Sequence, residues 1–226
     1  MKNELWLIWK EPKSRRRYKI GLLHYTNNTY YFNYINPELN DAINAGFDYF
    51  PGFPDINKEY TNSKLFGNIA TRLPNSSRPD YLEILNSYNL DKNATDFDIL
   101  RATKGRLLTD NYEFVPVFDS SKIEFDIAGT RHCPDITKCL KIININDTLI
   151  LELDLENKYD KNAIKVILNK NGKKYHLGYV PRYYTKELSQ LLKKNIKYSA
   201  MIKGINFESD ISDEDISAYV KLIFTD

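Results

Sequence analysis

Six short runs with strand patterning occupy the second half of the chain, and a single helical segment interrupts them. The runs cover 123–128, 149–153, 163–168, 174–180, 197–205 and 216–224. Asn171-Gly172 separates the third from the fourth. That dipeptide tolerates positive φ at both central positions of a tight turn, so it predicts a two-residue hairpin. The interrupting segment places Tyr184, Leu188, Leu191 and Leu192 at i, i+4, i+7 and i+8, one face of a helix. Strands this short need several neighbours to bury a core. Five or six of them with one helix predict a mostly β, partly open barrel.

The first half is patterned differently. Residues 4–9, 18–23 and 29–34 are apolar or aromatic runs separated by charged, turn-prone pieces, and they read as an antiparallel meander. The basic run Arg15-Arg16-Arg17 between the first two reads as a solvated hairpin tip. A loop rich in Gly and Pro follows at Phe50-Pro51-Gly52-Phe53-Pro54-Asp55. Thr61, Asn62 and Ser63 are candidate N-caps for a helix running to Leu73, which Pro74 stops. Arg78-Pro79-Asp80 opens a second helix whose apolar face holds Leu82, Leu85 and Leu90. Asp96 caps a third, carrying Phe97, Ile99 and Leu100 and ending near Gly105, before a return strand at 112–117. The expectation is an α+β domain, a small antiparallel sheet plus helices, over residues 1–118. The β-rich domain takes 120–226, with the boundary at Asp119-Ser120-Ser121. A chain of 226 residues has room for both.

Composition enters through charge. The net charge is only +2, yet residues 158–203 hold 12 Lys or Arg against Asp160 and Glu187 alone, and five acids follow in 208–215. A dense basic segment is the footprint of a polyanion partner, with a solvated Lys-rich surface as the plain alternative. Cys133 and Cys139 lack the further Cys or His set of a zinc site and read as inert thiols. With His132 alongside and His176 far downstream, a metal site is the lesser alternative. No cofactor and no metal are expected. The first residues lack a signal-peptide core and no apolar run reaches the ~20 residues of a membrane span, so a soluble cytoplasmic protein with no membrane partner is expected. No phosphate-cradling glycine loop, paired-His motif or nucleophile elbow is present, and nothing places two acids together. The chain reads as non-enzymatic; a metal-dependent nuclease fragment would need clustered acids.

The most informative stretch is Asn157-Lys158-Tyr159-Asp160-Lys161-Asn162-Ala163-Ile164-Lys165-Val166, followed by Gly178-Tyr179-Val180-Pro181-Arg182. It resembles the HIRAN family, whose pattern runs Asn-Pro-Tyr-Asp, then Asn-Ala-Ile and a strand, then Gly-Tyr-Val-Pro-Arg before a leucine-bearing helix. The resemblance covers roughly 125–224. It implies a small barrel that grips single-stranded DNA at a free 3′ end. On that basis Tyr159 offers a ring for the last base, and Asp160 accepts a hydrogen bond from a terminal 3′ hydroxyl while rejecting a 3′ phosphate. Asp160 alternatively caps a local turn. Asn157 is a turn former or a phosphate donor. Arg131 and Arg182 are candidate phosphate contacts. Tyr179 is core or a second stacking ring. His132 stands where an aromatic partner is common, and Lys158 replaces the usual Pro.

The first half resembles the N-terminal subdomain of HipA-type toxin kinases. The likeness rests on Gly21-Leu22-Leu23, Leu65-Phe66, Leu73-Pro74, Arg78 and Phe97-Asp98-Ile99-Leu100 with Gly105. It implies a partner-docking domain, and gives an alternative for the whole chain: an antitoxin-like regulator that binds a HipA-type kinase through residues 1–118. Arg72 and Arg78 are then candidates to face the partner, or else ordinary helix-surface charges.

Overall fold

The structure, a computed structural model, describes residues 3–133, 142–206 and 217–225. The chain divides into two units, Met1–Val117 and Phe118–Asp226.

In the first unit the meander forms as β1 (Glu4–Lys10), β2 (Arg17–Thr26) and β3 (Thr29–Tyr34). Asn27 and Asn28 both hold positive φ in the β2–β3 turn, the backbone that a tight right-twisted hairpin demands. β4 (Tyr60–Asn62) and β5 (Tyr112–Pro116) complete an antiparallel sheet of order β4-β3-β2-β1-β5. Four short helices accompany it: α1 (Glu38–Asn44), α2 (Gly67–Ala70), α3 (Tyr81–Ser87) and α4 (Asp96–Thr103). Leu5, Leu7, Ile20, Phe32 and Phe114 are wholly buried, and Phe32 packs at 4.3 Å from Phe53 of the Gly/Pro loop. The Tyr34 hydroxyl fastens that loop by donating to Phe53 O and accepting from Phe50 N–H, both at 2.7 Å.

Several local expectations fail here for identifiable reasons. Thr61 and Asn62 are not helix caps; they pair with Tyr31 and Tyr30 in β4. Tyr60, opposite Phe32 and edge-on to Phe53 at 4.9 Å, draws this segment into the sheet, and aromatic packing overrides cap chemistry. Only α2 remains of the expected helix. The cap of α4 is Thr95 rather than Asp96: its hydroxyl accepts Asp98 N–H while the Asp98 carboxylate accepts Thr95 N–H. Leu82 is exposed although Leu85 is buried, so α3 has a narrower apolar face than its leucines suggest. Arg72 is turned inward rather than toward a partner. Its side chain is 4% exposed, pairs with Asp110, donates to Gly105 O at 2.9 Å and lies over the Phe50 ring. Arg78 is held by two 2.8 Å bonds to Asp80. The Arg15-Arg16-Arg17 tip is only partly solvated, since Arg17 pairs at 3.1 Å with buried Glu113.

The second unit contains β6 (Lys122–Asp126), a 3-10 turn (Thr130–His132), β7 (Thr148–Leu153), β8 (Ile164–Lys170) and β9 (Lys173–Tyr179). After these come α5 (Arg182–Lys193), β10 (Lys197–Asn206) and β11 (Ser217–Thr225). The strands form one open sheet, β6-β11-β10-β7-β8-β9. Asn171 and Gly172 supply the two positive-φ residues of the β8–β9 turn. Tyr184 and Leu188 bury the inner face of α5. The barrel is not closed. Two residues beyond the edge strand β6, Ala128 meets Tyr179 of the other edge strand, β9, at an isolated bridge, and the two exchange 2.8 Å backbone bonds. That bridge needs Gly178: a Cβ there would stand 2.6 Å from Ala128 O. Cys139 and the acids of 208–215 lie outside the described residues.

Candidate nucleic-acid interface

The loop between β7 and β8, residues 154–163, is built by its own polar side chains. Asn157 Oδ1 accepts Tyr159 N–H at 2.9 Å and Asp160 N–H at 3.0 Å, and Asp160 Oδ1 accepts Asn162 N–H at 2.9 Å. Such bonds let Asn and Asp fold a turn without a ladder partner. Asp154 N–H closes the loop base on Ala163 O at 2.8 Å. Tyr159 sits at the crest with 87% of its surface exposed, and Leu155 on the same loop is 79% exposed. Asn157 makes the bonds of a turn former through its Oδ1.

The start of α5 meets this loop. Pro181, without an N–H, takes the N-cap position, so Arg182 becomes the first helical residue. Arg182 Nη1 donates to Tyr159 O at 3.0 Å. One turn on, the Thr185 hydroxyl lies 2.7 Å from Asp160 Oδ2, to which it donates, and 2.9 Å from Arg182 O. Asp160 therefore makes the local bonds of a turn residue. Each carboxylate oxygen nevertheless has a second acceptor position for an incoming hydroxyl. The first turn of α5 holds no acid. A cation at this positive helix end is unfavourable for the helix itself and favourable for a bound anion.

A third segment joins through Tyr179. Its hydroxyl donates to Asp154 Oδ2 at 3.0 Å and its ring meets His176 edge-on at 4.8 Å. Burial, then the bond to Asp154, pushes its hydroxyl up to about 12. This is a half-buried, bonded ring rather than an open stacking platform. Its backbone bridge to Ala128 positions the 3-10 turn, where His132 is exposed and Cys133 is buried 3.7 Å from His176 Nδ1. The Arg131 backbone belongs to this turn, while its side chain lies outside what is described. Tyr159, Asp160, Arg182 and Tyr179 thus belong to one connected network. Among the described residues no group of three or more His, Cys, Asp or Glu is placed to hold a metal ion. No described helix is long and apolar enough to cross a membrane.

Asp154 is the residue that sequence reading missed. Although 9% exposed, it accepts from Tyr179, from Asn157 Nδ2 at 3.3 Å and from Lys165 Nζ at 3.1 Å. Burial opposes its charge, but these partners prevail and hold the carboxyl below its usual range. Its spacing of three from Asn157 was the available signal.

A search of curated proteins gave no match. Among solved structures the chain is similar to the HIRAN domain of human HLTF, at 18% identity over 46% of this chain and 74% of that one, with a TM-score of 0.36. It is similar also to a Lactobacillus plantarum protein, at 19% identity over 46% of this chain and 97% of that one, with a TM-score of 0.34. The family model described as HIRAN domain matches residues 120–220, leaving residues 1–119 and 221–226 outside it. The second unit therefore carries a HIRAN domain, and the loop, the helix start and the 3-10 turn described above all lie within it.

Proposed function

We propose that the second unit is a non-enzymatic module that grips single-stranded DNA at a free 3′ end. The observation that supports this most is Tyr159: a large ring, almost wholly exposed, on a loop pinned by Asn157 and by Arg182. A ring carried on a backbone held this way is open to stack on a base, an interaction worth roughly 1–3 kcal/mol for any base. Exposed Lys158 and Lys161 flank it on the loop and attract the backbone. Arg182 contacts a phosphate, and Asp160 accepts the terminal hydroxyl. A terminal phosphate in its place would meet the carboxylate's charge and be rejected.

The test compares labelled oligonucleotides ending in a 3′ hydroxyl or a 3′ phosphate by fluorescence anisotropy at low salt. The hydroxyl strand is expected to bind at least tenfold more tightly, Asp160→Asn to remove that preference, and Tyr159→Ala to weaken both about tenfold or more. Equal binding of the two strands by the unmodified protein would overturn end recognition.

A further inference from the structure

We infer that Asp154 is a positioning residue for nucleic-acid binding, joining the loop that carries Tyr159 to the opposite sheet edge through Tyr179. This rests on the reading of the site given above and assigns Tyr179 a role other than base stacking. One carboxylate gathers three donors from three places: Asn157 in the loop, Lys165 on β8 and the Tyr179 hydroxyl on β9. The backbone adds two more ties, Asp154 N–H to Ala163 O at 2.8 Å and Asn157 N–H to Asp154 O at 3.2 Å. Asn157, so held, turns its own Oδ1 to the amides of Tyr159 and Asp160. The backbone that carries the exposed ring is therefore placed two steps away, by a buried acid that no ligand need touch.

The other half of the link runs through the sheet edge. Tyr179 exchanges both backbone bonds with Ala128, and the turn holding Arg131 and His132 begins immediately after. If the Tyr179 hydroxyl loses Asp154, the loop and that turn lose their shared anchor. Lys165 completes the arrangement. Facing Tyr179 across the ladder, it pairs with Asp154 Oδ1, while Asn157 and Tyr179 both donate to Oδ2. Hydrogen bonds to a charged acceptor are among the stronger ones, so losing one disturbs the loop measurably.

The experiment measures affinity for a 3′-hydroxyl oligonucleotide with the full chain, at a temperature far below every variant's melting transition. Asp154→Ala and Tyr179→Phe are each expected to weaken binding about tenfold, and their combination no more than the larger single effect. Introduced into Tyr159→Ala, Asp154→Ala is expected to weaken binding by less than it does alone, since the ring it positions is gone. Tyr179→Phe keeps the ring and its packing, so it reports even if Asp154→Ala does not fold. Lowered melting temperatures with unchanged affinity, or full additivity with Tyr159→Ala, would overturn the positioning role and leave the site reading intact. Failure of Tyr159→Ala itself to weaken binding would instead defeat the site reading.

Discussion

At Gly178 the sequence motif and the sheet geometry impose the same residue. Its φ of +148° lies where side chains are strained, and a Cβ would stand 2.6 Å from both Ala128 O and Ile127 Cγ2. Gly172 has φ +73°, but a Cβ there would meet nothing within 4 Å, so only backbone strain applies. Gly178→Ala combines that strain with an enforced separation of the two sheet edges, for a loss of about 2–4 kcal/mol in denaturant unfolding. Gly172→Ala is expected to lose about 1 kcal/mol. Equal losses at the two sites would show that the close approach to Ala128 is unimportant. The same scale shows what a sequence reveals of a site. That Tyr159 and Asp160 lie beside the helix start at Arg182 was legible, because both segments carry recognisable motifs. Asp154 was not, because its significance comes from Lys165 and Tyr179, 11 and 25 positions away, which the pairing of β7 with β8 and of β8 with β9 brings to it.

At the level of elements, the second unit was far more legible than the first. Its strands fell within a few residues of their patterned runs because Asn171-Gly172 fixes a register and alternation marks a face. In the first unit, rings from distant segments, such as Phe32, Phe53 and Tyr60, decide whether 60–62 is strand or helix cap. Charge pairing across elements was equally hidden. Glu113 on β5 lies between Arg17 on β2 and Arg106, at 3.1 Å and 2.8 Å. Burial disfavours its charge, yet Arg106 and Arg17 together lower its carboxyl to about 2. A carboxyl lower in the folded than the unfolded state, near 4.3, adds stability above that pH and loses it as pH falls toward 2. The contribution is on the order of 3 kcal/mol. Denaturant midpoints taken from pH 6 to pH 2 should therefore fall less steeply for Glu113→Gln than for the unmodified chain. Parallel slopes would remove Glu113 from the account of acid sensitivity.

For the whole molecule, a net charge of +2 conceals where the cations are spent. Of the basic window, Lys165, Lys170 and Lys174 pair with Asp154, Asp147 and Glu152, all outside it. The window's count therefore overstates its pull on a polyanion, and position matters more than number. Lys158 and Lys161 are exposed on the loop that carries Tyr159, whereas Lys173 lies at the far end of β9 from Tyr179. Six residues of strand separate those ends by ~20 Å, twice the ~10 Å over which charges are felt at 0.1 M salt. A strand seated at the loop should therefore register the near lysines and not the far one. Each phosphate contact on single strands contributes about 0.7 to the slope of log affinity against log salt. Replacing Lys158 and Lys161 together by Gln is expected to lower that slope by about 1.4, and Lys173→Gln to leave it unchanged. Tyr159→Ala should lower affinity at every salt concentration without altering the slope, because stacking releases no counterions. A slope that fell equally for Lys173→Gln would mean that the chain binds strands by diffuse attraction over the whole unit, with no seat at the loop.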